Sequence, residues 1–272
     1  MFRFVHIPLV LLSFCLLAIE AQAARSNWFV TDGARIRLVS QPSPDGSKIL
    51  AGLQFELDKG WKTYWRNPGS SGLPPQIHFL GSQNVAETIL SLPVPKWYAE
   101  DRSIGYKDAV TFPISVTPAN RNLPVFLKVT GVVGVCGEIC VPVQFELGLE
   151  QRTDGGNDIN AARALFGIEK KTPSNPHANL NVQSSGWMAK TRKLQIETTV
   201  PENASSLELF VEGPSSWYLS RAKLIEHGST KALFEIDLSD ISSTAEVIGT
   251  ELRYTLIADG VGIDQRQKIA AR

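Results

Sequence analysis

The chain holds 272 residues, and its 27 lysines and arginines are matched by 27 aspartates and glutamates, for a formal net charge of zero. That balance, with no run of basic residues, lacks the electrostatic footprint of a protein that grips nucleic acid or a charged membrane surface. No nucleic-acid partner is expected.

Residues 1–23 read as a secretory signal peptide, with Arg3 as the basic start, an apolar run from Leu9 to Ile19, and Ala21, Gln22 and Ala23 as a small-residue cleavage site. An uncleaved anchor is the alternative reading, but the run is shorter than the ~20 residues that a spanning helix needs. No later stretch approaches that length of apolar sequence, so no stable membrane insertion of the mature chain is expected. Cys15 follows Phe14 rather than a small residue, which argues against a lipid-modified cysteine. Of three cysteines, only Cys136 and Cys140 lie beyond the leader. In an oxidising compartment such a pair is joined unless something reduces it.

Roughly 250 residues remain, enough for one large or two small domains. Residues 35–39 and 49–57 alternate apolar and polar in the manner of half-buried strands. Further strands are predicted over 77–80, 110–116, 125–135 and 141–150, each bounded by Pro, Gly, Asn or Asp. Many short strands without a long helical period predict an all-β sandwich. His78 alternates with apolar neighbours and is expected to face outward. Residues 60–75 form an aromatic cluster, with Trp61, Tyr64 and Trp65, followed by an Asn67-Pro68-Gly69 turn signal. They read either as an aromatic turn capping the core or as a partner-facing rim beside the cysteines. Residues 93–106 read as a long polar loop whose Trp97 and Tyr98 either fold onto the sandwich or shield a reactive group.

Cys136 and Cys140 are four positions apart. Four residues of straight strand span about 13 Å at ~3.3 Å each, whereas a disulfide requires Cα atoms within roughly 7 Å. The chain must therefore turn between them. Apolar strand formers run up to Val135 and resume at Val141, so Gly137, Glu138 and Ile139 are predicted to form a short hairpin loop, with Gly137 free to take a positive φ. Closing so small a loop contributes only about 2 kcal/mol in the chain-entropy account of disulfides. A staple is weakly rewarded here, which leaves room for a redox role.

Residues 151–181 are polar and rich in Gly, Asn and Pro, with one short helix predicted over 159–168. Strands return over 194–200, 207–211, 232–238 and 252–258, and Asp259-Gly260 is a hairpin signal leading into 261–270. This segment contains no cysteine and is assigned no chemistry.

The ordered set of motifs carries a resemblance. Gly60-Trp61, Thr63-Tyr64-Trp65, Asn67-Pro68-Gly69 and Ser71 to Pro75, then Gly105-Tyr106, Phe112-Pro113, and Val135-Cys136 through Ile139-Cys140 are similar to the N-terminal periplasmic domain of DsbD-type thiol:disulfide interchange proteins, in the manner of the ScsB-like branch. The resemblance implies an immunoglobulin-like domain whose cysteine pair shuttles electrons between a membrane-embedded thiol redox protein and periplasmic thioredoxin-fold proteins. By position it makes Cys136 and Cys140 that catalytic pair, and Cys140 the site of mixed disulfides. The full-length family continues into a multi-span membrane domain, usually followed by a thioredoxin-like domain. Neither occurs before Arg272, so the electron donor is expected to be a separate protein. The three-residue gap between the cysteines is shorter than in the best-known branch, so its neighbouring acidic and capping groups are not carried over.

Two other readings of the pair stand beside this one. Cys-x-Glu-Ile-Cys is also similar to the copper loop of oxidase-type cupredoxins, but the His and Met of that loop are Gln144 and Leu147 here. Two thiolates could still hold Cu(I), a soft ion. The other reading is a β-sandwich binding module with a structural disulfide. His78, His177 and His227 sit in no nucleophile motif, and no cofactor or metal site is assigned. The sequence therefore predicts an all-β protein of two immunoglobulin-like β-sandwich domains. Residues 1–23 are the signal peptide, 24–150 a redox sandwich, 151–181 a linker with a short helix, and 182–272 a second small sandwich. The predicted function is a periplasmic component of protein-disulfide reduction that acts through Cys136 and Cys140.

Overall fold

A computed structural model describes residues 24–69, 72–153, 172–214, 216–217, 219, 221–241 and 247–272. The leader over 1–23 and the helix expected over 159–168 lie outside the described residues. The described residues form twenty strands in four sheets.

The first sheet holds β1 (Ala24–Arg25), β2 (Phe29–Thr31), β3 (Ala34–Pro42), β4 (Ile49–Leu57), β7 (Val85–Leu90) and β10 (Ala109–Pro118), in the order β1-β3-β4-β10-β7 with β2 also on β3. The second holds β5 (Lys62–Gly69), β6 (Gln76–His78), β8 (Lys96–Tyr98), β9 (Ser103–Lys107), β11 (Val125–Cys136) and β12 (Cys140–Gln151), in the order β12-β11-β5-β9-β8 with β6 also on β11. Alternate residues of these strands point into one core. Leu53 and Phe55 on β4, Phe112 and Ile114 on β10, Val129 and Val133 on β11, and Phe145 on β12 all belong to it. Fully burying such a side chain stabilises the fold by about 1.5–3 kcal/mol. A one-residue slip would turn a whole row outward, so the alternation fixes the register. The result is an all-β, immunoglobulin-like sandwich.

A second pair of sheets packs around a second core that includes Leu194, Phe234, Leu252 and Tyr254. One sheet holds β13 (Asn181–Met188), β14 (Lys193–Thr199), β16 (Lys223–His227), β17 (Lys231–Asp237) and β20 (Ala270–Ala271), ordered β16-β17-β14-β13-β20. The other holds β15 (Leu207–Glu212), β18 (Glu251–Ala258) and β19 (Val261–Lys268). Asp259 and Gly260 take φ of 48° and 80° between β18 and β19, as the two-residue hairpin signal predicts.

Several elements depart from the sequence reading. Residues 62–69, read as an aromatic cluster and turn, form strand β5, whose first four residues are buried on both faces and so show no alternation. The expected loop over 93–106 contains the paired strands β8 and β9. The strand expected over 77–80 is β6, which begins one residue earlier and leaves His78 exposed.

The two pairs of sheets meet at β5. Trp65 is fully buried, with its ring 5.6 Å from that of Phe210 on β15, and Phe210 and Ile257 belong to the core of the first pair of sheets. Beside this contact lies a cleft of about 640 Å³ whose walls include Trp97, Arg102, Trp217 and Arg221.

Candidate redox site

Cys136 ends β11 and Cys140 begins β12, and the two are direct partners across the ladder. They are joined in a disulfide with Cα atoms 4.1 Å apart. The hairpin expected over residues 137–139 is present, closed by a 3.0 Å bond from the Gly137 N–H to the Ile139 carbonyl. Gly137 is not among the glycines with positive φ. Its lack of a side chain serves packing instead, because a Cβ there would lie 3.0 Å from the Trp61 ring.

The two sulfurs have different surroundings. Cys136 is only 1% exposed, whereas Cys140 is exposed, beside Glu138 and an Ile139 that is 70% exposed. An incoming group can therefore reach Cys140 while Cys136 stays under protein. The Tyr64 hydroxyl lies 3.2 Å from Cys140 Sγ. A disulfide sulfur has no proton to give, so the phenol donates. Burial, reinforced by the negative charge of Asp101, pushes the Tyr64 pKa above its ordinary value, which keeps the phenol protonated and a donor at neutral pH.

Strand β5 sets this contact. Thr63 and Lys62 pair with Val135 and Cys136 across the ladder, and the Thr63 hydroxyl donates to the Gly134 carbonyl at 2.9 Å. The Tyr64 ring crosses β11 over Gly134, where a Cβ would come within 2.8 Å of it. On the other side of β5, the Lys62 ammonium is ion-paired with Asp101 and donates to Ser103 Oγ at 2.9 Å. Burial opposes the charge on Asp101, but the bonds from Lys62 and Ser103 outweigh it and hold the carboxyl below its ordinary range. Lys62 Nζ sits 5.8 Å from the ring centres of both Tyr64 and Tyr98, and Lys107 Nζ stands 4.3 Å over Tyr98.

Of the residues singled out by sequence, Cys136 and Cys140 are brought together, Trp61 packs under their loop, and Tyr98 packs against the lysines of the neighbouring strands. The Tyr64 contact was legible only as aromatic content near the cysteines. The set Lys62, Asp101 and Ser103 had no sequence signal beyond the polarity of its loop.

Residues 36–150 match the family model for the N-terminal region of thiol:disulfide interchange protein DsbD. The chain is also similar to the crystal structure of the N-terminal periplasmic domain of ScsB from Proteus mirabilis, with a TM-score of 0.73 and 19% identity over 92% of this chain and 99% of that one. Collagen adhesin from S. aureus aligns with a TM-score of 0.17 at 9% identity over 92% of this chain and 93% of its own, too low to bear on the fold. No curated protein matches the chain. The span that matches this family model takes in the cysteine hairpin, and the likeness to the ScsB domain shows a shared fold.

Proposed function

We propose that the protein relays reducing equivalents in the periplasm of a Gram-negative cell through Cys136 and Cys140, between a membrane-embedded thiol redox protein and thioredoxin-fold partners. The observation that carries this reading is the asymmetry of the pair: one sulfur buried, the other exposed and held by a phenol. In the proposed cycle a partner thiolate attacks Cys140 Sγ. The intermolecular S–S bond forms as the Cys136–Cys140 bond breaks, and Cys136 leaves with the electron pair and takes up a proton. The partner's second thiolate then attacks the partner sulfur of the mixed disulfide, and Cys140 leaves as a thiolate facing the Tyr64 hydroxyl. Two electrons have entered the pair, and the partner has become a disulfide. Run in reverse on an oxidised acceptor, the same steps pass them on. The residue 1–23 leader would deliver the chain to that compartment. Among the described residues no helix is long and apolar enough to cross a membrane.

Equilibration against glutathione buffers tests the reading. The pair is expected to open in the range of catalytic disulfides, above the roughly −300 mV below which structural ones sit. A pair that stays oxidised throughout overturns the relay and favours a binding module.

The domain division is proposed with it, as a redox sandwich over 24–150, a connector over 151–181 and a second sandwich over 182–272. Limited proteolysis is expected to cut first in the polar connector. Because Trp65 and Phe210 pack together, the two fragments should remain folded and elute as one species. First cleavage inside 24–150 contradicts the division.

A further inference from the structure

The relay uses Tyr64, and two residues further along β5 stands Arg66, which the relay does not use. Its Nε donates to both Glu212 oxygens, at 2.9 and 3.1 Å. Its Nη2 donates to Thr255 Oγ1 at 2.8 Å and to Asp264 at 3.1 and 3.3 Å. Glu212 lies on β15, Thr255 on β18 and Asp264 on β19, so this one guanidinium engages every strand of the fourth sheet. Asp264 is held in turn by Arg253 and by the Thr255 hydroxyl, each at 2.5 Å. Burial opposes its charge, but the Thr255 bond and the two arginines outweigh that and keep its carboxyl below the ordinary range. The anchor therefore stays ionised at neutral pH.

The local path of β5 explains how Arg66 reaches this sheet. Tyr64 pairs with Gly105 on β9, but the next pairing on β5 is Gly69 with Ser103. Residues 65–68 thus bulge out of the ladder opposite Ile104 alone, and Tyr64 is the last residue in register before the excursion. Bulges re-aim side chains. This one turns Arg66 toward the fourth sheet, with its guanidinium stacked 3.9 Å from the centre of the buried Trp65 ring. The far side of the excursion has no ladder bond of its own until Gly69. Among the described residues it is held by the charge-assisted network on Arg66, the Trp65–Phe210 contact and the bond from the Gly69 N–H to Asn67 Oδ1 at 3.2 Å.

We infer that Arg66 is a positioning residue for the cysteine site: by clamping the β5 excursion to the fourth sheet, it holds Tyr64 in hydrogen-bond reach of Cys140. The second sandwich then acts on the redox pair through one strand, without touching a sulfur. The inference rests on the relay reading for its purpose, but its physical content, a phenol held against a thiolate, is tested separately. A displacement of about 1 Å at the phenol oxygen is enough to weaken the bond sharply.

The test uses residues 24–272, without the leader and its Cys15, carrying Cys136→Ser so that only the Cys140 thiol remains, and follows alkylation of that thiol by iodoacetamide at fixed neutral pH. A hydrogen bond to a charged group favours the thiolate by roughly tenfold or more, and nucleophilicity recovers part of that on its loss. Tyr64→Phe is thus expected to slow alkylation about threefold. Arg66→Met should slow it about twofold, Arg66→Lys less, and Arg66→Met should add nothing once Tyr64→Phe is present. Melting temperature is measured beside each rate. If Arg66→Met lowers the melting temperature but leaves the rate unchanged, or if its effect multiplies with that of Tyr64→Phe, Arg66 is structural only and the inference is overturned. The relay fails differently, by a pair that never opens in glutathione buffers, so the two failures are distinguishable.

Discussion

If the proposed relay holds, Cys136→Ser is expected to accumulate a covalent adduct with a thioredoxin-fold partner in periplasmic extracts, and Cys140→Ser almost none. The exposed sulfur of Cys140 is the one a partner would reach, and the buried sulfur of Cys136 is the one that would resolve the adduct from within the site. Removing the resolving cysteine strands the intermediate, whereas removing the contact cysteine prevents it. Stability should not follow that asymmetry. Both variants lose the same disulfide, which closes a loop with a sequence separation of only four. The chain-entropy cost is about 2 kcal/mol for either, or roughly 4–8 °C in melting temperature for a chain of this size. A non-reducing gel beside a thermal melt reads both quantities. Equal, large losses of melting temperature with no adduct from either variant would leave a structural disulfide and a binding module.

Trp65→Ala is expected to be the most destabilising single change outside the disulfide, at about 3–5 kcal/mol. Its ring is 0% exposed and packs against Phe210 at 5.6 Å, with the Arg66 guanidinium 3.9 Å from its centre. Alanine would open a cavity where the two pairs of sheets meet and would strip Arg66 of its stacking surface. Trp65→Phe should cost far less, about 1 kcal/mol, because it keeps an aromatic ring there and removes a buried indole N–H that has no hydrogen-bond partner among the described residues. Urea titration of both variants checks the ranking. Equal losses for Phe and Ala would mean that contacts specific to the indole, rather than aromatic bulk, hold the joint.

The strands that alternate were readable because each has one buried and one solvated face, as in β4, β10 and β12. Strand β5 was not, since Thr63, Tyr64 and Trp65 are all buried and leave no period to detect. The cysteine hairpin was readable from chain geometry alone. The surroundings of the sulfurs were not, because Tyr64 and Cys140 are 76 residues apart and nothing local marks a phenol as a sulfur's partner. Arg66 was invisible for the same reason: its carboxylate partners lie 146 and 198 residues downstream, in a segment with no chemistry of its own to draw notice.

The placement of Phe210 and Ile257 in the first core has a kinetic consequence. A growing polypeptide is delivered N-terminus first, whether from a ribosome or from a translocation pore, and Trp65 emerges long before the residues that cover it. At roughly 5–20 residues per second of synthesis, the nascent first sandwich spends on the order of ten seconds with an uncovered tryptophan and a loosely held β5. During that interval it offers apolar surface to other nascent chains or to a holdase, and its maturation is completed only when the later half arrives and docks.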